Sequence, residues 1–193
     1  MTAPDWSLLD AQLAAHPCAD DKERADTARI RAFLAAHPAD AHLRSLLVGH
    51  LTGSGFVLDA RREKVLLLFH GRLKRWLQPG GHGEGETEPL RIALREVEEE
   101  TGLAEADLRA LDGGPAASAV LFDVDIHGIP ARQKPPLEPA HEHLDLRFAF
   151  VAREGAQPRL SDESEALQWV ALGDLPSDGD ASLARALRKL RGT

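Results

Sequence analysis

The sequence predicts an α/β sandwich built on a mixed sheet, with a small helical extension in front of it. Two observations carry this. Short apolar, β-compatible runs lie on both sides of one strongly amphipathic helical segment, and a basic helical segment closes the chain, an order that buries both faces of a sheet. Residues 1–45, by contrast, show only helical patterning. A chain of 193 residues fits one ordinary domain with a small appendage, and 43% apolar against 28% charged residues is enough for a core inside a solvated surface.

Taken in order, "DWSLLDAQLAAHP" and "DDKERADTARIRAFLAAHP" each place apolar residues at helical spacing, and both end on AAHP, at Ala14–Pro17 and Ala35–Pro38. Proline just past an apolar-periodic run stops a helix. A helical hairpin over residues 1–45 is therefore expected, ahead of a main domain over 46–193. Leu8, Leu9, Leu13, Ile30, Phe33 and Leu34 give it apolar faces that so small a unit cannot hide alone. It is expected to cap the main domain and border its cleft, with a homodimer contact as the alternative. From Leu46, "LLVGHLTGSGFVLD" and "KVLLLFH" read as strands joined by "ARRE", and "RLKRWLQ" as a third. After a glycine-rich turn and the amphipathic helix come three more strands, "SAVLFDVDIHGIP", "HLDLRFAFVA" and "LQWVAL", and then the helical tail "DASLARALRKLRGT". The proline-rich "GIPARQKPPLEPAHEH" is too long for a hairpin and reads as a functional loop or a plain connection.

Charge narrows the partners. Against 31 acidic residues there are 23 basic ones, a net charge of −8, with no basic stripe to displace counterions, so nucleic acid is not an expected partner. No apolar run approaches the roughly 20 residues of a membrane span, so no membrane partner is expected. The opening "MTAPDWSLLDAQ" lacks a basic-then-apolar leader, and the single cysteine, Cys18, fits a reducing compartment; a cytoplasmic location is expected.

The chemistry is expected in "QPGGHGEGETEPLRIALREVEEETGL", residues 78–103. On a helix over Leu90–Thr101, Leu90, Ala93, Leu94, Val97 and Thr101 share one stripe suited to packing on a sheet. Glu96, Glu99 and Glu100 share an adjacent arc at i, i+3 and i+4, while Arg91 and Glu98 point elsewhere. Crowded carboxylates repel one another, and an oxygen-only donor set suits a hard cation such as Mg²⁺ or Mn²⁺.

These residues resemble the signature of the Nudix hydrolases: glycine, five residues, glutamate, seven residues, then Arg-Glu-apolar-any-Glu-Glu-any-Gly-apolar. Gly81, Arg95, Glu96, Val97, Glu99, Glu100, Gly102 and Leu103 stand at its fixed positions over residues 81–103. One position departs: Thr87 stands where the early glutamate belongs, between Glu86 and Glu88. In the family that glutamate braces the loop, so the departure bears on loop geometry more than on chemistry. The resemblance implies a Nudix-type α/β/α sandwich. It implies that Glu96, Glu99 and Glu100, with the carbonyl of Gly80, hold Mg²⁺ or Mn²⁺, and that Arg95 orients a carboxylate. It further implies hydrolysis of a pyrophosphate linkage in a nucleoside diphosphate joined to another moiety. Alternatives are a nucleoside triphosphate pyrophosphatase and a non-catalytic nucleotide-sensing domain; the paired glutamates, both present, speak against the last.

Relatives place the catalytic base variably, and Glu163 is the first candidate here, Glu165 the second. In "HEHLDLRF" His141, His143 and Asp145 share a strand face; a second metal site, substrate contact and a structural cluster are all open. His82, beside the presumed phosphate site, is a candidate substrate contact, as are Arg132 and Lys134 in the long loop. Trp76, Phe122 and Phe148 either stack on a base or fill the core.

Overall fold

The structure, a computed structural model, describes residues 3–71, 74–133, 137–161, 164–174 and 181–193. Helices α1 (Ser7–Ala15) and α2 (Asp21–Ala36) open the chain and end at the two AAHP stops. The strands are β1 (Gly49–Leu58), β2 (Lys64–His70), β3 (Arg75–Leu77), β4 (Gly80–His82), β5 (Leu108–Ala110), β6 (Asp123–Ile129), β7 (His141–Ala152) and β8 (Ala166–Ala171). Helix α3 (Pro89–Thr101) falls between β4 and β5, and α4 (Ala181–Arg191) closes the chain. The described strands form one mixed sheet in which β1 and β7 run parallel through the middle and the other pairings are antiparallel.

The two faces differ because strand side chains alternate. On one face Leu51, Val57, Leu144, Leu146, Phe148 and Phe150 meet Leu90, Ala93, Leu94 and Val97 of α3. Helix α3 starts with Pro89 in its first turn and stops at Gly102, whose left-handed φ of 68° suits glycine. It lies so close to β1 that a Cβ on Gly53 would sit 2.5 Å from the Pro89 carbonyl oxygen and one on Gly55 2.7 Å from Val97. On the other face Phe56, Leu58, Ala149 and Val151 pack against Ala186, Leu187 and Leu190 of α4.

The first two helices do more than cover apolar area. Leu9, Leu13, Ile30 and Leu34 join the α3-side core, whereas Leu8, expected to contribute, is 68% exposed because it sits on the outer side of α1. Among the described residues β6 pairs only with β7, and its other edge is closed by α2: Glu23 accepts from the Val124 N–H (3.2 Å) and Asp26 from the Ile126 N–H (3.0 Å). Supplying acceptors to an edge strand both satisfies the backbone and blocks further pairing. Lys22 reaches Asp125, and Lys189 of α4 reaches Glu23 (2.8 Å). All six strands expected from the sequence are present, β2 over its expected residues and the other five with shifted ends; β4 and β5, three residues each, carry no sequence signal because so short a run shows no periodicity.

Candidate active site

Helix α3 brings three of its four carboxylates, Glu96, Glu99 and Glu100, to one wall of a cleft of about 900 Å³. Arg95 clamps two of them, donating from Nη2 to Glu96 (2.8 Å) and from Nη1 to Glu99 (2.7 Å), and it also donates to the carbonyl oxygen of His82. Glu100 accepts from the Gly80 N–H at 2.9 Å. The strand β4 therefore lies against the acidic helix, and the glycine leaves the Glu96 carboxylate its place: a Cβ on Gly81 would sit 2.6 Å from Glu96 Oε1 and push it aside. Arg91 pairs instead with Glu105 on the surface, and Glu98 is exposed on the side away from the cleft.

The loop before α3 is held by Glu86. Its carboxylate accepts from the N–H groups of Thr87 (2.6 Å) and Glu88 (2.8 Å), the residues that lead into the first turn. A carboxylate at a helix N-terminus satisfies free donors and complements the helix dipole. So a neighbour of Thr87 makes contacts that tie the loop to the helix.

The opposite wall comes from the polar half of the other sheet face. Register places His50 beside His143 and Thr52 beside Asp145 across β1 and β7, and His127 beside His143 across β6 and β7. The pairing of Thr52 with His82 adds β4 to the same face. Four imidazoles thus meet: one ring nitrogen from each of His50, His82, His141 and His143 lies within 4.8 Å of all the others. Burial, then the neighbouring imidazoles, pushes His143 down to about 2 and His50 to about 4; burial and the nearby Arg44 push His82 to about 4. These three rings are neutral at pH 7.

Asp145, predicted to share that face, does so but belongs to a different group. It accepts from Thr52 (3.1 Å) and Ser54 (2.9 Å) and pairs with Arg147 (2.7 Å), which is buried and also meets Asp123 and Asp125. Those aspartates hold the Arg147 guanidinium charged despite its burial. Arg185 of α4 completes the group through Asp123 (2.9 Å). This network was invisible in the sequence because its members come from α2, β6, β7 and α4.

The remaining candidates scatter. Arg132 is exposed, bridged through its backbone to Glu138, and is not part of the cleft lining. Its place at the cleft is taken by Arg44, held to Glu138 at 2.8 Å, and by Arg75. Arg44 is the point at which the N-terminal segment borders the cleft. Glu163 and Lys134 lie outside the described residues. Glu165 is exposed and paired with Lys74 (2.6 Å). Phe148 is core; Phe122 and Trp76 pack at the edge of the α4-side cluster, and none of the three lines the cleft. His50 is the residue that sequence reading missed, although its two-residue spacing from Thr52 and Ser54 marked an unusually polar strand face.

A mixed-sheet α/β sandwich with an acidic helix set against a glycine strand defines the loop–helix–loop class of domain. Within that class the chain belongs to the Nudix family: the NUDIX domain model matches residues 50–190. The chain is 30% identical over 112 residues to a probable DHNTP pyrophosphohydrolase of Lactococcus lactis, a match covering 58% of this chain and 61% of that one. It is 30% identical over 110 residues to the asymmetrical bis(5'-nucleosyl)-tetraphosphatase of Mus musculus, covering 57% and 65%. The match thus spans less than two thirds of each of these curated relatives. Among solved structures, a C. elegans Ap4A hydrolase in a binary complex aligns with a TM-score of 0.57 at 17% identity, covering 74% of this chain and 95% of that one. The E. coli dihydroneopterin triphosphate pyrophosphohydrolase aligns with a TM-score of 0.52 at 15% identity, covering 72% and 92%. At those identities the likeness is one of fold. No described helix is long and apolar enough to cross a membrane.

Proposed function

We propose that this protein is a metal-dependent pyrophosphohydrolase acting on a nucleotide-type substrate, a nucleoside diphosphate linked to another moiety. One observation carries the reading: Glu96, Glu99 and Glu100 converge on the wall of a cleft large enough for such a ligand, with Arg95 and β4 holding them in place. The two curated relatives, a probable pyrophosphohydrolase and a tetraphosphatase, both named for cleavage of phosphoanhydrides, support it.

The donor set fits a hard divalent ion. It consists of oxygens only, and Glu96, with a side chain 12% exposed, is oriented by Arg95. Glu96, Glu99, Glu100 and the Gly80 carbonyl would hold Mg²⁺ or Mn²⁺, which when bound neutralises phosphate oxygens and acidifies a water. The chain itself supplies the rest. Arg95 keeps two carboxylates from swinging apart, the Gly80 N–H fixes the third, and Gly81 leaves space beside Glu96. Arg44 and Arg75 on the lining offer positive charge to the outer phosphate of a substrate. Glu163 is the proposed base.

A second reading, a nucleoside triphosphate pyrophosphatase, is favoured by the triphosphate substrate in the name of the L. lactis relative. Products separate the two: the first reading yields two phosphorylated halves, the second a nucleoside monophosphate and pyrophosphate. The test is a screen of nucleotide-linked diphosphates and triphosphates with Mg²⁺ and Mn²⁺. On the best substrate, Glu99→Gln and Glu100→Gln should each lower kcat by about two to three orders of magnitude, or roughly 3–4 kcal/mol of barrier, and Glu98→Gln should leave it unchanged. Near-parental turnover in both of the first two variants would overturn the assignment.

A further inference from the structure

The four-histidine cluster lies across β4 from the carboxylates. Alternation along β4 sends His82 toward His143, with their Nε2 atoms 3.2 Å apart, and turns Gly81 the other way, toward Glu96. The histidines are therefore a separate group, made from nitrogen donors where α3 presents oxygens.

Hydrogen bonding among the rings does not account for their arrangement. His143 Nε2 lies 3.2 Å from His82 Nε2 and 3.3 Å from His141 Nε2, yet one ring nitrogen offers a single in-plane proton or a single lone pair. His141 Nδ1 lies 2.9 Å from the Pro139 carbonyl oxygen, which can only accept, so the proton sits on Nδ1 and the lone pair of Nε2 faces the cluster. His50 is 1% exposed, and neither of its ring nitrogens makes a well-formed hydrogen bond among the described residues, the Leu46 carbonyl giving it a weak contact. A buried imidazole so poorly satisfied is costly, and such a group calls for a ligand.

A shared cation resolves all of these contacts together. Two nitrogens at zinc-ligand distance on a tetrahedral centre stand roughly 3.3–3.4 Å apart, which is the spacing His143 already keeps from two neighbours. The Pro139 carbonyl behind His141 is the outer-sphere acceptor that fixes a metal-binding tautomer. Imidazole donors select zinc-class transition ions over Mg²⁺, which prefers oxygen. We propose that His50, His82, His141 and His143 bind one zinc-class divalent cation, distinct from the hard-ion site of Glu96, Glu99 and Glu100.

With four protein ligands the site is closed, and its role is structural. It ties β4 to β1 and β7 at His82. The strand it anchors is the one that carries Gly80 and Gly81 against the acidic helix, and the His82 carbonyl receives Arg95. The cation thereby fixes the distance between β4 and the carboxylates, independently of which substrate the cleft takes.

The experiment uses the full chain, without a polyhistidine tag, stripped with a chelator and reloaded with Zn²⁺ or Co²⁺. One Zn²⁺ per chain by elemental analysis after gel filtration is expected, together with a raised melting temperature. Co²⁺ should give the intense visible absorption of a tetrahedral centre. The Glu96→Gln/Glu99→Gln/Glu100→Gln variant should keep that ion and spectrum, and His141→Gln and His143→Gln should lose both. The Co²⁺ spectrum needs no substitution, so it decides the matter even if a histidine variant fails to fold. Weak octahedral absorption, no stoichiometric Zn²⁺, or loss of the ion in the glutamate variant would each overturn the proposal.

Discussion

Replacing Gly81 and Gly80 by alanine, one at a time, separates the chemistry of the cleft from the stability of the fold. On Gly81 the new methyl would lie 2.6 Å from Glu96 Oε1 and 2.7 Å from its Cδ and Oε2, with no backbone atom among its three nearest neighbours. A carboxylate at the end of a flexible chain can give way by rotating, so the stability cost is small. The displaced group would move by the order of an ångström, however, and leave the grip of Arg95. A misplacement of that size in a reacting constellation costs about a hundredfold in rate. On Gly80 the methyl would lie 2.3 Å from Ser54 Cβ and 3.0 Å from its Cα, and nothing there can move without separating β4 from β1. Overpacking against backbone costs about 1–3 kcal/mol, several degrees of melting temperature for a chain of this size. Turnover on the screened substrate, Mn²⁺ affinity by calorimetry and thermal melts are the assays. Gly81→Ala should keep the parental melting temperature and lose turnover and Mn²⁺ affinity; Gly80→Ala should lose stability as well. Parental turnover in Gly81→Ala, or a melting loss equal to that of Gly80→Ala, would refute the geometry of the β4–α3 contact.

Glu86→Ala should lower stability by about 0.5–2 kcal/mol, the range for a lost helix-terminal acceptor, and activity with it; Glu88→Ala should be near neutral and Thr87→Glu tolerated, all read by melts and turnover. A chain beginning at Ser45 strips the acceptors from the β6 edge and leaves Lys189 without Glu23, so it should be poorly soluble; a soluble, equally active product would remove the capping role of α1 and α2. Burial alone would raise the carboxyl of Glu23, but hydrogen bonds from His16, Ala19 and Lys189 outweigh it and hold the group well below the usual range. A depressed folded value means its stabilisation is complete above the unfolded value of about 4.3 and drains as pH falls below it. Melting temperature should therefore drop below about pH 4, less steeply in Glu23→Gln if the variant folds, and an unchanged acid slope would refute this.

What the sequence by itself determined is what lies close along the chain. The spacing of Glu96, Glu99 and Glu100 set three carboxylates on one arc of a helix without reference to any other element, and α3 runs within a residue of its expected start. The alternation in "HEHLDLRF" likewise put His141, His143 and Asp145 on one face, and the two AAHP stops ended α1 and α2 where expected. Tertiary structure decided everything that depends on register between distant segments. Only the parallel pairing of β1 with β7 brings His50 to His143, and only the three-residue β4 swings His82 in to join them. Glu23 and Asp26 read as solvated charge on a helix, because nothing local announces that α2 will close the edge of a strand a hundred residues away. Helical geometry is encoded in i to i+4 spacings, whereas strand partners and buried charge networks are chosen by packing the whole chain at once, so a single sequence displays the first and conceals the second.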